Sequence, residues 1–490
     1  MAYLWNIRMY SKQILRMHML SYINDKTVFR TILGWSTTII CTLIMQIIVH
    51  NTALNANLSH FAVVFCAALG MWIFRLVPES IPAVCIILST LFFNFNPQYI
   101  ILSGFISDSF FLTLSLFGIS CVLIKSQLFY RFSLFLLCRL PPSQSLLQKT
   151  LFTMGALMTP VISVQSARVT LMAPLLDDLV TSSKINPRSA SANALACAGF
   201  NGCILLSTVF LTGKSSNSIL YAMLSQQQMG QFSWFDWLLA ASFPGVLLTG
   251  LYFIVQSRLF RINHSISINK FRLKKELLSL GTLTVEEWAA ITGIATLLIG
   301  LFLNAWHPIP GFFICSVVFF VLFLTGAIEL HEFKTKINWS FLFYLGAIIG
   351  IMRYIQNTGI DLWLSNQLNL ISSFADSNII FIIIGIYLIS WLCGLILGTM
   401  TAPALLFAVI MPVTQKAGIN SWLVAFIILM ATEAWIFPYQ SNYYLCFEEL
   451  LNKKKNFQLK PLLRFNSCLA LLKLGILLLS IPFWYCLKII

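Results

Sequence analysis

Gly213-Lys214-Ser215-Ser216-Asn217-Ser218-Ile219-Leu220 interrupts one apolar stretch of the chain, and Pro438-Tyr439-Gln440-Ser441-Asn442-Tyr443-Tyr444-Leu445 interrupts another. Both carry Ser-Asn-x-x-Leu inside a segment otherwise apolar enough to cross a bilayer. A helix broken at membrane depth leaves backbone N–H and C=O groups that lipid cannot satisfy. Such breaks persist where they line a cavity and touch a solute or ion. A pair of them in corresponding places of two halves points to a transporter's binding site.

Outward from these breaks, the composition agrees. Of 490 residues 58% are hydrophobic and 10% charged, against about 25% charged in soluble domains. Mean hydropathy is +0.85. Each crossing takes about 20 apolar residues, so the chain reads as an all-α polytopic membrane protein with about eleven transmembrane helices. They are expected over 32–50, 60–75, 80–96, 108–124, 190–223, 236–257, 284–303, 311–328, 339–355, 420–450 and 466–487, with the breaks inside 190–223 and 420–450. Short apolar arms at 150–180 and 378–415 read as two re-entrant hairpins. A basic amphipathic stretch covers 125–148 and a more polar one 360–376.

Charge fixes the orientation. Alternate connections gather 25 of the 31 Lys and Arg residues on one side, including Arg75, Lys125, Arg131, Lys184, the run from Arg258 to Lys275, and Lys453 to Arg464. The positive-inside rule places that side, and the N-terminus, in the cytoplasm and the C-terminus outside. The same placement explains the net charge of +15 without nucleic acid. The arms at 150–180 then start and end inside, and those at 378–415 outside, which makes an inverted repeat. A faint echo supports it: Ser109-Phe110…Leu114…Ile124 against Ser340-Phe341…Leu345…Ile355. The expected organisation is a cytoplasmic segment 1–31, a first helix and loop 32–59, a first repeat 60–257, a basic linker 258–283 and a second repeat 284–490. The apolar run from Ile32 lacks a small-x-small cleavage site and reads as a retained helix.

The 12 cysteines are scattered through apolar runs without Cys-x-x-Cys, and read as small core residues. The six histidines are spread along the chain and suggest no metal cluster.

Asn338-Trp339-Ser340-Phe341-Leu342-Phe343-Tyr344-Leu345-Gly346-Ala347, followed by Asn357-Thr358-Gly359-Ile360-Asp361-Leu362-Trp363-Leu364, resembles the divalent anion/sodium symporter family, the dicarboxylate, citrate and sulfate permeases. The resemblance covers roughly 60–487. It implies a scaffold plus a moving transport domain, usually in a homodimer, with Ser-Asn-Thr on each hairpin and a Thr-Pro-Pro-Asn-like loop in each broken helix. Pro174 and Pro412 fit the hairpin prolines. The chain departs from the pattern at Val164-Gln165-Ser166, at Thr399-Met400-Thr401-Ala402-Pro403, and at both loops, where Lys214-Ser215-Ser216-Asn217 and Tyr439-Gln440-Ser441-Asn442 keep only the asparagines. A hard cation needs several oxygens in a tight shell, so these departures weaken the case for ordinary sodium coupling.

Ionisable residues deep in membrane helices are costly and normally functional. Arg168, at the first hairpin tip, and Lys214 either supply positive charge to an anion or stand where a sodium would bind. The structural alternative has Arg168 capping hairpin carbonyls and Lys214 paired with a carboxylate. Glu433 is a candidate for coupling, as proton carrier or counter-charge. Gln165, Ser166, Ser215, Ser216, Asn217, Thr399, Thr401, Gln440, Ser441 and Asn442 are candidate lining. Arg353 is expected to snorkel, Lys473 to face scaffold or lipid headgroups, and Asp177 and Asp178 to face water.

The expectation is a non-enzymatic secondary transporter of a small anion in a bacterial inner membrane, moving a di- or tricarboxylate or inorganic anion by alternating access. Sodium, protons or anion exchange would drive it, and no cofactor is expected beyond Na+ as a coupling ion. The alternatives are a polytopic membrane enzyme, for which no cluster of acids or histidines is found, and a transport-inactive relative acting as receptor or scaffold.

Overall fold

The computed structural model describes residues 25–51, 56–93, 98–139, 143–183, 185–260, 270–303, 309–358, 378–452, 457 and 459–490. The basic tail before Asp25, Lys184, residues 359–364 of the family-like segment, the polar stretch over 360–376, part of the basic linker and Lys453 to Lys455 lie outside these residues.

Among the described residues the structure is helical, with no strand. It divides into two compact units, 1–98 and 99–490. The first holds α1 (Asp25–His50), α2 (Ala56–Ile73) and α3 (Ser80–Phe92). The second holds α4 (Asp108–Lys125), α5 (Leu128–Arg139), α6 (Gln144–Met158), α7 (Gln165–Ser182), α8 (Ala190–Ile204), α9 (Ser215–Ala222) and α10 (Trp234–Leu259). It continues with α11 (Lys270–Ser279), α12 (Val285–Phe302), α13 (Gly311–Leu324), α14 (Trp339–Thr358) and α15 (Ile379–Lys416). It ends with α16 (Ser421–Thr432), α17 (Asn442–Asn452), α18 (Lys460–Leu479) and α19 (Ile481–Cys486).

Side chains that satisfy orphan backbone N–H groups set where many of these helices begin. Ser107 opens α4, Ser189 α8, Ser233 α10, Asn378 α15 and Asn420 α16. Thr284 and Glu287 form a capping box at α12. Each of the eleven expected membrane stretches contains an α-helix, the first beginning at Asp25 rather than at 32. Among the described residues, seven helical segments can cross a membrane by length and composition, and four shorter apolar helices accompany them.

Both breaks are wider than the sequence suggested. After α8, residues 205–214 pass through turns and a 3-10 turn at Leu211–Gly213. After α16, residues 433–441 hold a 3-10 turn at Pro438–Gln440. The Ser-Asn pairs therefore sit where each helix resumes. Glu433 is the C-terminal cap of α16 rather than a mid-helix residue.

The two arm pairs differ. Over 150–180 a six-residue turn at 159–164 separates α6 from α7. Over 378–415 two helices, together the 38 residues Ile379–Lys416, meet at a kink at Gly398, which has φ 82° and ψ 175°. A straight helix of that length would reach about 57 Å, nearly twice the hydrocarbon thickness of about 30 Å. Only glycine occupies that backbone region without strain.

Packing pairs the halves reciprocally. α6 lies on α8 and α15 on α16, each arm against the first part of the broken helix that follows it. α7 lies on α17 and α15 on α9, each against the resumed helix of the other half. At the α6–α8 crossing the backbones touch: a Cβ built on Gly155 would come within 2.9 Å of the Gly202 Cα, and one on Gly202 within 2.7 Å of the Phe152 Cα. Small residues at such crossings let membrane helices pack closely.

Candidate functional site

The breaks create orphan carbonyls, and three buried cations take them up. Arg168, fully buried on α7, donates through Nη1 to the carbonyls of Thr159 (3.2 Å), Ile162 (2.9 Å) and Gly213 (2.8 Å). Its Nη2 donates to Ser207 Oγ at 2.8 Å, while its buried Nε has no protein acceptor. The first hairpin turn and the first break are thus tied to one guanidinium. Thr212 reinforces the tie by donating to the Pro160 carbonyl at 2.6 Å. Lys214 reaches from the end of the first break to the C-terminus of α16, donating to the Leu429 carbonyl at 3.2 Å. Lys473 of α18 donates to the Glu433 carbonyl at 3.0 Å. Cations are favoured at a helix C-terminus, where the backbone dipoles leave partial negative charge.

Glu433 is the hub. Its Oε1 lies 3.4 Å from Lys214 Nζ, and both side chains are buried. The same oxygen accepts a short hydrogen bond from Gln165 Nε2, and Gln165 also reaches Ser207 Oγ at 3.3 Å. One carboxylate thus joins the first hairpin tip, the first break and the second break. Three cations against one carboxylate leave a formal excess of +2 (3 − 1) in this cluster. Uncompensated charge in an interior is expensive.

The remaining candidates divide. Asn217, fully buried, donates to the carbonyls of Ser207 and Phe210 at 2.8 Å each, and its Oδ1 has no protein partner. Ser215 and Ser216 are buried beside it in the first turn of α9, and Ser166 is half-buried. In the second break Gln440 Oε1 accepts from the backbone N–H of Ile436 (3.0 Å) and Phe437 (2.8 Å), and Ser441 Oγ accepts from Tyr444 N at 3.1 Å. Both serve their own turn. Asn442 is exposed, Thr401 buried and Thr399 half-buried. No hydrogen bond among the described residues draws these three into the Lys214–Glu433 cluster. Trp391 and Tyr439 instead tie the first arm of α15 to the second break, through the carbonyls of Ala434 (3.0 Å) and Leu395 (3.3 Å).

Two participants were not foreseen. Ser207 is shared by Arg168 and Gln165. Lys473, expected at scaffold or headgroups, is buried because α18 packs against α16 and carries it to the cap of that helix. Arg353 does not extend freely but donates to Ser103 O and Oγ, both at 3.1 Å. Asp178 is half-buried and accepts from Tyr130 OH at 3.1 Å.

The family model of the sodium:sulfate symporter transmembrane region matches residues 30–490. The chain belongs to the divalent anion/sodium symporter family. It is an integral membrane protein of a family of carriers, not of enzymes. It is 23% identical to an uncharacterized transporter of Haemophilus influenzae over 294 residues, 58% of this chain and 60% of that one. It is 21% identical to the inner membrane protein YbhI of Escherichia coli over 54% of this chain and 57% of that one. It is also 21% identical to the putative malate transporter YflS of Bacillus subtilis, with the same coverages. The chain thus spans 57–60% of the length of these curated relatives. The crystal structure of the YdaH transporter of Alcanivorax borkumensis superposes with a TM-score of 0.52 at 15% identity, over 81% of this chain and 89% of that one, a likeness of fold.

Proposed function

We propose that the chain is a secondary carrier of a small anion, a di- or tricarboxylate or an inorganic anion such as sulfate, working by alternating access. The observation that carries the reading is the buried Lys214–Glu433 pair, 3.4 Å apart where the two broken helices meet. With no solute bound, the ammonium is held by an internal carboxylate. An arriving anion competes with Glu433 for Lys214, and the exposed N–H groups of the resumed helix α9 add positive potential. Glu433 is the coupling residue, because its partner differs between the loaded and empty states. A ligand shifts such an equilibrium only by its difference in affinity for the two states.

Coupling runs through protons or exchange rather than sodium. The carbonyls of Thr159, Ile162, Gly213, Leu429 and Glu433 already serve Arg168, Lys214 and Lys473. The fixed cations Arg168 and Lys214 do the electrostatic work that a bound sodium would otherwise do. In this reading α6–α7 and α15 are re-entrant hairpins, and 60–257 and 284–490 are inverted repeats. The reciprocal packing of α7 on α17 and α15 on α9 supports it. The distribution of Lys and Arg supports an N-terminus in the cytoplasm and a C-terminus in the periplasm, and the bacterial relatives an inner membrane. The family resemblance supports a homodimer.

The test is counterflow of labelled sulfate, succinate, malate and citrate in proteoliposomes. Wild type is expected to exchange at least one of them, and Lys214→Met to lose at least tenfold of that exchange with normal membrane insertion. Exchange by Lys214→Met equal to wild type would overturn the reading.

A further inference from the structure

Lys473 has a place in this cycle that its capping role leaves unexplained. Lys473 lines a cavity of about 20 Å³ together with Glu433, Asn466 and Asn201. That volume holds one water. Asn466 Oδ1 is buried in the same place with no protein donor. A lysine, a glutamate and an asparagine with an orphan amide oxygen, all bordering a water-sized space, can form a proton relay, whereas capping a carbonyl needs only the ammonium.

We propose that Lys473 is the proton-binding residue of the carrier, loading a proton when the anion binds and giving it up when the anion leaves. The proposal rests on the carrier reading above. When an anion takes Lys214 from Glu433, the carboxylate is left buried without its counter-charge. Lys473, already on the carbonyl of the same residue, is the replacement we assign. A proton arriving on hydronium through the cavity water becomes the third N–H of Nζ and leaves water behind. Anion and proton then cross together. On release the proton returns to water, and Lys214 closes on Glu433 again.

Titratable and charged groups lie on the helices packed against α18 and in the cluster around Glu433. Glu433 follows α16, Lys214 precedes α9, and Arg168 comes from α7. α8 contributes Cys197 and Cys203, and α10 contributes Tyr252. α15 contributes Tyr387, whose hydroxyl donates to the Ala470 carbonyl at 2.7 Å. Tyr485 and Cys486 of α19 are exposed. Among these Glu433 is the one carboxylate, and Lys473 is the amine that shares its cavity.

The experiment uses the full chain in proteoliposomes loaded with the pH dye pyranine, with sulfate and succinate as separate probes, and reads protons taken up per anion. Wild type is expected to carry about one proton per anion, with apparent affinity falling about tenfold per pH unit on the alkaline side. Lys473→Arg, charged throughout, and Lys473→Met, neutral throughout, are expected to bring the ratio below a quarter and to flatten the pH profile to under twofold per unit. Asn466→Leu is expected to slow the proton signal relative to anion flux. A proton-to-anion ratio unchanged in both lysine variants overturns the proposal, because a cap alone would lower flux and leave the ratio. Should neither variant fold, the wild-type ratio still decides: net anion uptake without proton uptake, or counterflow with no net uptake at all, sinks this proposal and spares the carrier reading. No counterflow with any anion sinks both.

Discussion

Replacing Lys214 by methionine removes the cation and keeps much of the stem. The ammonium lies 3.4 Å from Glu433, which at an effective dielectric of about 20 corresponds to an attraction of about 5 kcal/mol. Much of that is offset by desolvation, but breaking a buried pair from one side costs about 3–5 kcal/mol because a lone charge is left behind. Lys214→Met is therefore expected to destabilise by about 3 kcal/mol or more, and Glu433→Gln by a similar amount. The double variant should recover most of the loss, since the amide introduced in place of the Glu433 carboxylate can still bond Gln165 and neither member of the pair is left without the other. Unfolding in mixed micelles, followed by tryptophan fluorescence over the whole double-mutant cycle, gives the coupling energy. A coupling of about 2 kcal/mol or more is expected. A value under about 0.5 kcal/mol, the level of independent sites, would refute the pairing and the competition mechanism built on it.

Other perturbations probe the frame around the pair. Arg168→Lys keeps the charge but cannot fork across the carbonyls of Thr159, Ile162 and Gly213; counterflow should fall at least tenfold and stability by about 2 kcal/mol, read by uptake and by melting. Gly398→Ala forces a side chain into a region that only glycine tolerates, costing about 1–3 kcal/mol, and should lower the melting temperature where the neighbouring Thr399→Ala does not. Tyr130 is held by Glu276 at 2.5 Å and by Asp178. Burial first, and then these carboxylates, push its phenol above the ordinary value of 10.0. A raised folded value means that the contribution is intact below pH ~10 and is lost as pH rises further. Wild type should thus lose stability above pH ~10 more steeply than Tyr130→Phe in a pH series of melts.

Much of this site is legible in the chain because lipid makes polarity conspicuous. A Ser-Asn pair and a lysine inside an apolar run stand out, and so do Arg168 and Glu433. Each of these three charged residues occupies a place in one cluster. What the sequence does not carry is which carbonyl meets which cation. Arg168 joins residues 159, 162, 207 and 213, a set that exists only once α6 and α8 cross at their glycines. Lys473 was visible as a charge inside Leu471-Leu472-Lys473-Leu474, and intramembrane charge is itself a signal. Its direction depends on how α18 packs, and a helix that is apolar on every side gives no facing. The paired motifs also suggested equal roles for Asn217 and Asn442. The structure buries the first and exposes the second; the same pattern lies two residues further into the helix at Asn217 than at Asn442.

The central claim is that fixed side-chain cations at the two helix breaks replace a coupling cation. Its most direct test is anion uptake into proteoliposomes with sodium replaced throughout by choline, at constant pH and ionic strength. The account predicts sulfate or succinate flux within twofold of that in sodium. A flux that collapses without sodium and rises steeply with its concentration would contradict it.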